Sequence, residues 1–175
     1  AVADAARDIL ARLTAAGIRA KLDDSDQSMG WKCAEYEMRG VPLRVEIGPR
    51  DLEEGKCCIV RRDNGEKVPV ALESLEQSAA QLLDTVHDSM FAAAKRNLEE
   101  NTFELDSVES VRDMVATRGG FAKTKWCGDL ACELKMKELA GVSSRCMPLQ
   151  QSGTTGKCVC CGKECKTDII WAVAY

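Results

Sequence analysis

Histidine is nearly absent from this chain: His87 is the one copy. It has no patterned acid and nucleophile around it, so it does not support histidine-based general acid–base or triad chemistry. We read His87 as a surface or packing residue. Long apolar runs are missing too. No stretch of about 18 apolar residues occurs, so no transmembrane helix and no membrane partner are expected. The start, AVADAARDILARL, is charged and amphipathic, unlike a secretory leader. Positive charge is also short. The formal net charge is −4, which argues against a general polyanion binder. Residues 1–100 hold 14 Lys+Arg against 19 Asp+Glu, and residues 101–175 hold 10 against 9. Any nucleic-acid binding must therefore come from local sites.

Cysteine is what the chain has in excess, with 10 in 175 residues. Without a secretory signal, that number favours a reducing, cytoplasmic setting and metal ligation over disulfides. A hydrophobic fraction of 45% is enough for a packed core. The length fits one domain and a smaller appendage.

Residues 29–62, MGWKCAEYEMRGVPLRVEIGPRDLEEGKCCIVRR, organise the rest. A helical run over 31–39 stops at Gly40, where a left-handed residue closes a helix most easily. Val41, Leu43, Val45 and Ile47 then alternate with Pro42, Arg44 and Glu46, giving a strand with one apolar and one polar face. Gly48 and Pro49 end it, Arg50 and Asp51 follow in the turn, and 56–62 is the next strand. Glu37, Arg44, Arg50 and Asp51 can converge on one rim and recognise a planar hydrogen-bonding partner. On charge alone, an ordinary solvated face is the competing reading.

Around this stretch, Val2, Ala5, Ile9, Leu13 and Ala16 mark a first helix ended by Gly17. Ile18, Ala20 and Leu22 alternate as a short strand. Asp63-Asn64-Gly65 is a hairpin turn into a return strand over 67–72, and Pro69 marks that strand as an edge. A long helix runs from Ser74, with Ser74 and Gln77 spaced as a capping box. Residues 101–104 read as a linker, and Asp106 with Glu109 opens another helix.

The remainder is a cysteine module. Cys127 and Cys132 form one pair and Cys158 and Cys161 another, the second in a Cys-x-x-Cys-Gly-Lys knuckle. Two such pairs can supply four thiolates to a tetrahedral zinc ion, and a metal joining two distant turns would stabilise this segment. Disulfides and unliganded thiols are the alternatives. Cys33, Cys57, Cys58 and Cys146 are read as small core residues. The last residues, from Asp168, read as a strand.

The stretches Gly30-Trp31-Lys32, Glu37 to Arg44 (EMRGVPLR) and Glu46 to Leu52 (EIGPRDL), together with the cysteine module, resemble the C-terminal part of the prolyl-tRNA synthetase family. The resemblance implies an α/β fold: a mixed-sheet class II anticodon-binding domain at 1–72, a connecting helix at 73–101, and a small α+β zinc-binding domain at 102–175. The family's first strand has no counterpart ahead of the opening helix, so the chain looks like a fragment. The resemblance assigns anticodon reading to Glu37, Arg44, Arg50 and Asp51, with Lys32 as a phosphate contact. It assigns structural zinc to Cys127, Cys132, Cys158 and Cys161. Cys160, beside Cys161, leaves the fourth ligand open, because some members use a Cys-x-Cys pair, and Cys165 is a spare. It also implies that the terminal carboxylate of Tyr175 reaches toward a catalytic domain.

The function implied is recognition of the tRNA(Pro) anticodon loop by a fragment without catalytic residues. Its parent would be a homodimer that joins proline to tRNA with ATP and magnesium. The alternatives are a zinc-stabilised protein-interaction module and a thiol-based redox or metal-buffering protein.

Overall fold

The computed structural model describes residues 1–174, and the expectation for Tyr175 lies outside them. The chain divides into two compact units, residues 1–93 and 94–175.

The first unit opens with helix α1, Val2–Ala15, which buries Ile9 and Leu13 one turn apart. Residues 18–22 follow without joining any ladder. The short strand expected there is not formed. Ile18 and Ala20 instead lay their apolar side against the core. Alternation set the facing of these residues, but a strand also needs a hydrogen-bonding neighbour.

Helix α2, Met29–Met38, starts at Ser28, whose hydroxyl accepts from the Trp31 amide. It ends before Gly40 at φ +76°. Strand β1, Leu43–Glu46, follows. Arg50 and Asp51 do not lie in a plain turn: they sit on a one-turn helix, α3, Pro49–Glu53. Pro49 fits a first helical position because its missing N–H needs no partner there. Asp51 Oδ2 accepts from the Gly48 amide at 2.8 Å, so Asp51 helps cap its own helix.

Strands β2, Lys56–Arg61, and β3, Lys67–Ala71, form the hairpin around Asn64-Gly65. The sheet order is β1-β2-β3, and both pairings are antiparallel. Parallel pairing, expected for this region, is absent from this sheet. Its connections are short, and a parallel neighbour needs a crossover of a dozen residues or more. Pro69 lies on the edge strand β3, as its missing N–H requires. The core joins Ile9 and Leu13 to Cys57, Ile59, Val70, Leu75 and Ala79.

A 3-10 turn, Leu72–Ser74, runs into helix α4, Leu75–Glu100. Ser74 already lies inside the 3-10 turn, so it does not act as the cap the sequence suggested. Its hydroxyl bonds back to the Ala71 carbonyl. His87 is exposed on α4, as expected.

In the second unit, residues 102–104 are not a linker. They form strand β4, Thr102–Glu104, paired in parallel with β5, Phe121–Trp126. The crossover between them is helix α5, Val108–Thr117, long enough for parallel pairing. Its cap is Ser107 with Ser110, one residue later than the Asp106–Glu109 box read from sequence. At the start of β5 a Cβ on Gly120, at φ +106°, would stand 2.6 Å from the Asn101 carbonyl oxygen.

Helix α6, Leu130–Ala140, and strand β6, Ser143–Cys146, follow. The short strands β7, Gly156–Lys157, and β8, Glu164–Cys165, pair with each other, and β9, Thr167–Ala172, closes the unit. The four-stranded sheet runs β4-β5-β9-β6 and is mixed. Its core centres on Trp171, with Val111, Met136, Val142 and Ile169 around it. Trp171 donates its indole N–H to Thr124 Oγ1 at 2.9 Å, which satisfies the one polar atom of a fully buried ring. Of the four cysteines read as core residues, Cys57 is buried, Cys33 and Cys58 are partly so, and Cys146 is exposed. Cys146 is no core residue, because it ends the edge strand β6.

Candidate functional site

Two local sites emerge, one in each unit. In the first unit, Glu37 lies in the last turn of helix α2 and strand β1 begins a few residues later, so Glu37 and Arg44 face each other. Arg44 Nη1 lies 3.0 Å from Glu37 Oε1, and Arg44 Nε lies 2.8 Å from Glu46 Oε1. Arg44 and Glu46 are two apart on the strand and share its outer face. Lys67, on β3, completes the row 3.7 Å from Glu46 Oε2. Burial of Arg44 alone would weaken its protonation, and its bonds to Glu46 and Glu37 reverse that effect and raise its pKa. Arg44 keeps 26% of its side chain exposed and Glu37 keeps 53%, so both stay reachable.

This row borders a cleft of about 270 Å³ walled by Tyr36, Glu37, Arg44, Arg61, Arg62 and Lys67, among others. Four bonds hold the guanidinium of Arg61 within the protein. It reaches both Asp63 oxygens at 3.1 and 2.7 Å, Glu66 at 3.0 Å and Ser89 Oγ at 3.0 Å. In the sequence neither Arg61 nor Arg62 stands out from a strand-and-turn pattern, so this wall carries no signal there.

Arg50 and Asp51 lie at the other end of β1, on α3, and among the described residues neither bonds to Glu37 or Arg44. The structure thus brings Glu37 and Arg44 into contact and keeps Arg50 and Asp51 apart from them. Lys32 does not present a free ammonium. Its Nζ donates to the carbonyls of Asp23 at 3.1 Å and Ser25 at 2.7 Å, and lies 3.3 Å from Asp23 Oδ1. Ser25 also donates twice to Asp23, and these bonds, with Lys32, lower the Asp23 carboxyl to about 2. Lys32 is therefore a clamp on the 23–25 loop, where the sequence had suggested a phosphate contact.

The second unit holds the cysteine cluster. Cys127 leaves β5, and Asp129 caps α6 by accepting from the Ala131 amide at 2.8 Å. The first turn of α6 then carries Cys132 back to Cys127. The β7–β8 hairpin presents the other pair on a turn closed by Cys158 N to Lys163 O at 2.8 Å and Gly162 N to Cys158 O at 2.9 Å. The turn is docked to β5 by Val159 N to Lys125 O at 3.0 Å.

The sulfurs of Cys127, Cys132, Cys158 and Cys161 all lie within 4.8 Å of one another. Cys127 Sγ is 3.6 Å from Cys132 Sγ and 3.8 Å from Cys161 Sγ. A tetrahedron with zinc–sulfur bonds of about 2.3 Å has edges of about 3.8 Å, so the donors match in kind, number and spacing. A disulfide would need sulfurs about 2.05 Å apart. The cluster can hold a metal ion.

Burial works to raise the Cys158 thiol, but the amides of Cys161, Cys160 and Cys127 outweigh it and bring the pKa down to about 7. Cys132 is pushed well up, chiefly by burial. Cys160 packs against the core of the unit and stands outside the group, which has Cys161 as its fourth thiol. Cys165 stands outside the group of four.

Comparison with known proteins agrees with this division. The family model described as "Anticodon binding domain" matches residues 1–82. The one described as "Prolyl-tRNA synthetase, C-terminal" matches residues 108–175. A proline–tRNA ligase of Clostridium botulinum (strain Loch Maree / Type A3) is 48% identical over 158 residues, 90% of this chain and 33% of the relative. One from Clostridium novyi (strain NT) is 45% identical over 174 residues, 99% of this chain and 36% of the relative. A crystal structure of prolyl-tRNA synthetase from Cryptosporidium parvum, complexed with L-proline and AMP, superposes with a TM-score of 0.88 at 30% identity. It covers 97% of this chain and 36% of that one. The chain spans about a third of the length of the curated relatives it matches. No helix of the described residues is long and apolar enough to cross a membrane.

Proposed function

Because the chain belongs to the prolyl-tRNA synthetase family and carries its anticodon-binding and C-terminal domains, we propose that Glu37, Arg44, Arg50 and Asp51 read the guanines of a proline anticodon loop. One observation carries this reading: Arg44 is held between Glu37 and Glu46 on an accessible strand face beside a cleft. Guanine offers O6 and N7 as paired acceptors, which suit the arginine fork, and N1–H with its exocyclic amine as paired donors, which suit a carboxylate. Unstacked loop bases expose those edges. A half-exposed pair such as Glu37–Arg44 is worth under about 1 kcal/mol, so it yields readily to a base that satisfies both partners. Asp51 spends Oδ2 on its own cap, and among the described residues nothing bonds Oδ1.

In the second unit Cys127, Cys132, Cys158 and Cys161 would hold zinc. Four thiolate ligands would give the ion a structural role, tying the end of β5, the start of α6 and the β7–β8 hairpin together. Joining proline to tRNA(Pro) with ATP and magnesium would be the work of a catalytic domain outside these 175 residues. Homodimerisation and a cytoplasmic setting are part of the same proposal.

The test is binding of anticodon stem–loops to the 175-residue chain. Arg44→Ala should lose about 1–3 kcal/mol of discrimination between loops with and without the proline anticodon guanines. Equal weakening for both loops would reduce Arg44 to a source of charge and overturn the reading for that residue.

A further inference from the structure

Arg62 is the unexplained cation of the cleft. It follows β2 directly, and its amide donates to the Pro42 carbonyl at 3.0 Å, which fixes its backbone against the entry to β1. The other cations of the wall are compensated. Arg61 pairs with Asp63 and Glu66, Arg44 with Glu37 and Glu46, and Lys67 lies 3.7 Å from Glu46. Among the described residues no carboxylate stands within ion-pair reach of Arg62. Its Nε is buried and unpartnered. Its Nη2 meets only the Met90 thioether sulfur, at 3.8 Å.

A buried guanidinium N–H without an acceptor is unfavourable. Asp63 feels the Arg62 charge through space but makes no bond to it, and an acceptor in the cleft would satisfy the N–H groups left over. A volume of about 270 Å³ is room for about nine waters, the scale of one base or one phosphate and below that of a drug-sized ligand.

We propose that Arg62 is a further recognition residue of this face. It takes a pair of acceptors from the RNA nucleotide next to the base held by Arg44, either phosphate oxygens or a base edge. The proposal rests on the anticodon reading above and adds a residue outside the four it names. Arginine suits the role because its fork can meet two acceptors at once, while its stem stays packed in the wall.

The experiment measures anisotropy of labelled anticodon stem–loops with the wild-type chain and with Arg62→Ala, Arg62→Gln, Arg62→Lys and Arg44→Ala, across a salt titration. Arg62→Ala and Arg62→Gln should weaken the proline-anticodon loop about five- to a hundredfold. They should leave the melting temperature unchanged or higher, because they remove a buried N–H that has no acceptor. A phosphate contact will show as equal loss on all loops, a log–log salt slope shallower by about 0.7 and partial rescue by Arg62→Lys. A base contact will show as loss confined to the guanine-bearing loop with no rescue by lysine. If Arg62→Ala and Arg62→Gln keep wild-type affinity and slope while Arg44→Ala loses discrimination, the Arg62 proposal is wrong and the anticodon reading stands. If the wild-type chain binds no loop, both fall.

Discussion

Lys125 and Asp168 sit directly opposite each other on β5 and β9, and their side chains meet at 2.6 Å between Nζ and Oδ1. The pair anchors a loop as well as two strands. Lys125 also donates to Ser152 Oγ and the Lys166 carbonyl, and the Asp168 carboxylate accepts from the Ser152 amide at 2.6 Å.

A pH dependence follows. Asp168 keeps 4% of its side chain exposed. Burial alone would raise its carboxyl, but Lys125 and Ser152 outweigh burial and lower it from 3.8 to about 2. A carboxyl held lower in the folded state contributes stability above its unfolded value and loses it as pH falls through the folded one. Asp168 should therefore contribute about 2 kcal/mol above pH 4, lost between about pH 4 and 2. Denaturant melts of wild type and Asp168→Asn across pH 2–6 check this. The difference between them should shrink as pH falls. A constant difference would disprove the linkage.

Removing the metal should loosen the second unit and spare the first. Protein purified without chelator should carry one zinc per chain. A strong chelator, or Cys158→Ser, should lower the stability of residues 94–175 by several kcal/mol, because the metal joins turns far apart in sequence. The melting of the Trp171 environment, followed by fluorescence, reports it. Sub-stoichiometric zinc with an unchanged melt would refute the assignment.

Gly120→Ala should be among the more damaging single changes. The new methyl would meet the Asn101 carbonyl oxygen at 2.6 Å, and the backbone there is at φ +106°. That carbonyl also accepts from the Phe121 amide at 2.8 Å, so it cannot retreat without losing a bond at the start of the β4–β5 pairing. A loss of about 2 kcal/mol or more in urea unfolding is expected. Gly17→Ala, with open space around it, should show conformational strain alone.

Lys32→Ala should act on a loop, with little effect on salt dependence. Its ammonium holds two carbonyls and a carboxylate of residues 23–25. We expect faster amide exchange across that loop and an RNA-binding salt slope within error of wild type. A slope shallower by about 0.7 would restore the phosphate role.

What the sequence made legible was local. The β2–β3 hairpin was readable because Asn64-Gly65 carries its own turn chemistry, and α1 because Ile9 and Leu13 repeat at helical spacing. The four thiols were readable from spacing alone, although choosing Cys161 over Cys160 required the fold, because only docking shows which sulfur turns inward. Strand β5 was missed for a physical reason. Its buried side chains are Ala122 and Thr124, too small and too polar to register as an apolar face. Helix α6 was missed because Leu130 and Leu134 are exposed while Cys132, Met136 and Ala140 are buried, which blurs the amphipathic pattern. The charged rim was half legible: Glu37 and Arg44 meet, Arg50 and Asp51 do not join them, and the neighbouring Arg62 gave no signal because its unpartnered Nε exists only in three dimensions.

The last ten residues of α4, 91–100, expose every side chain, Phe91 and Leu98 included. No burial holds that stretch in register. Its helicity rests on backbone hydrogen bonds, on the alanines at 92–94 and on a weak Lys95–Glu99 pair at 3.9 Å. Such a stretch opens at low free energy without either core unfolding. The stability of this stretch is therefore set by composition: Ala93→Gly should weaken its helicity by about 1 kcal/mol and touch neither the Glu37–Arg44 pair nor the thiols.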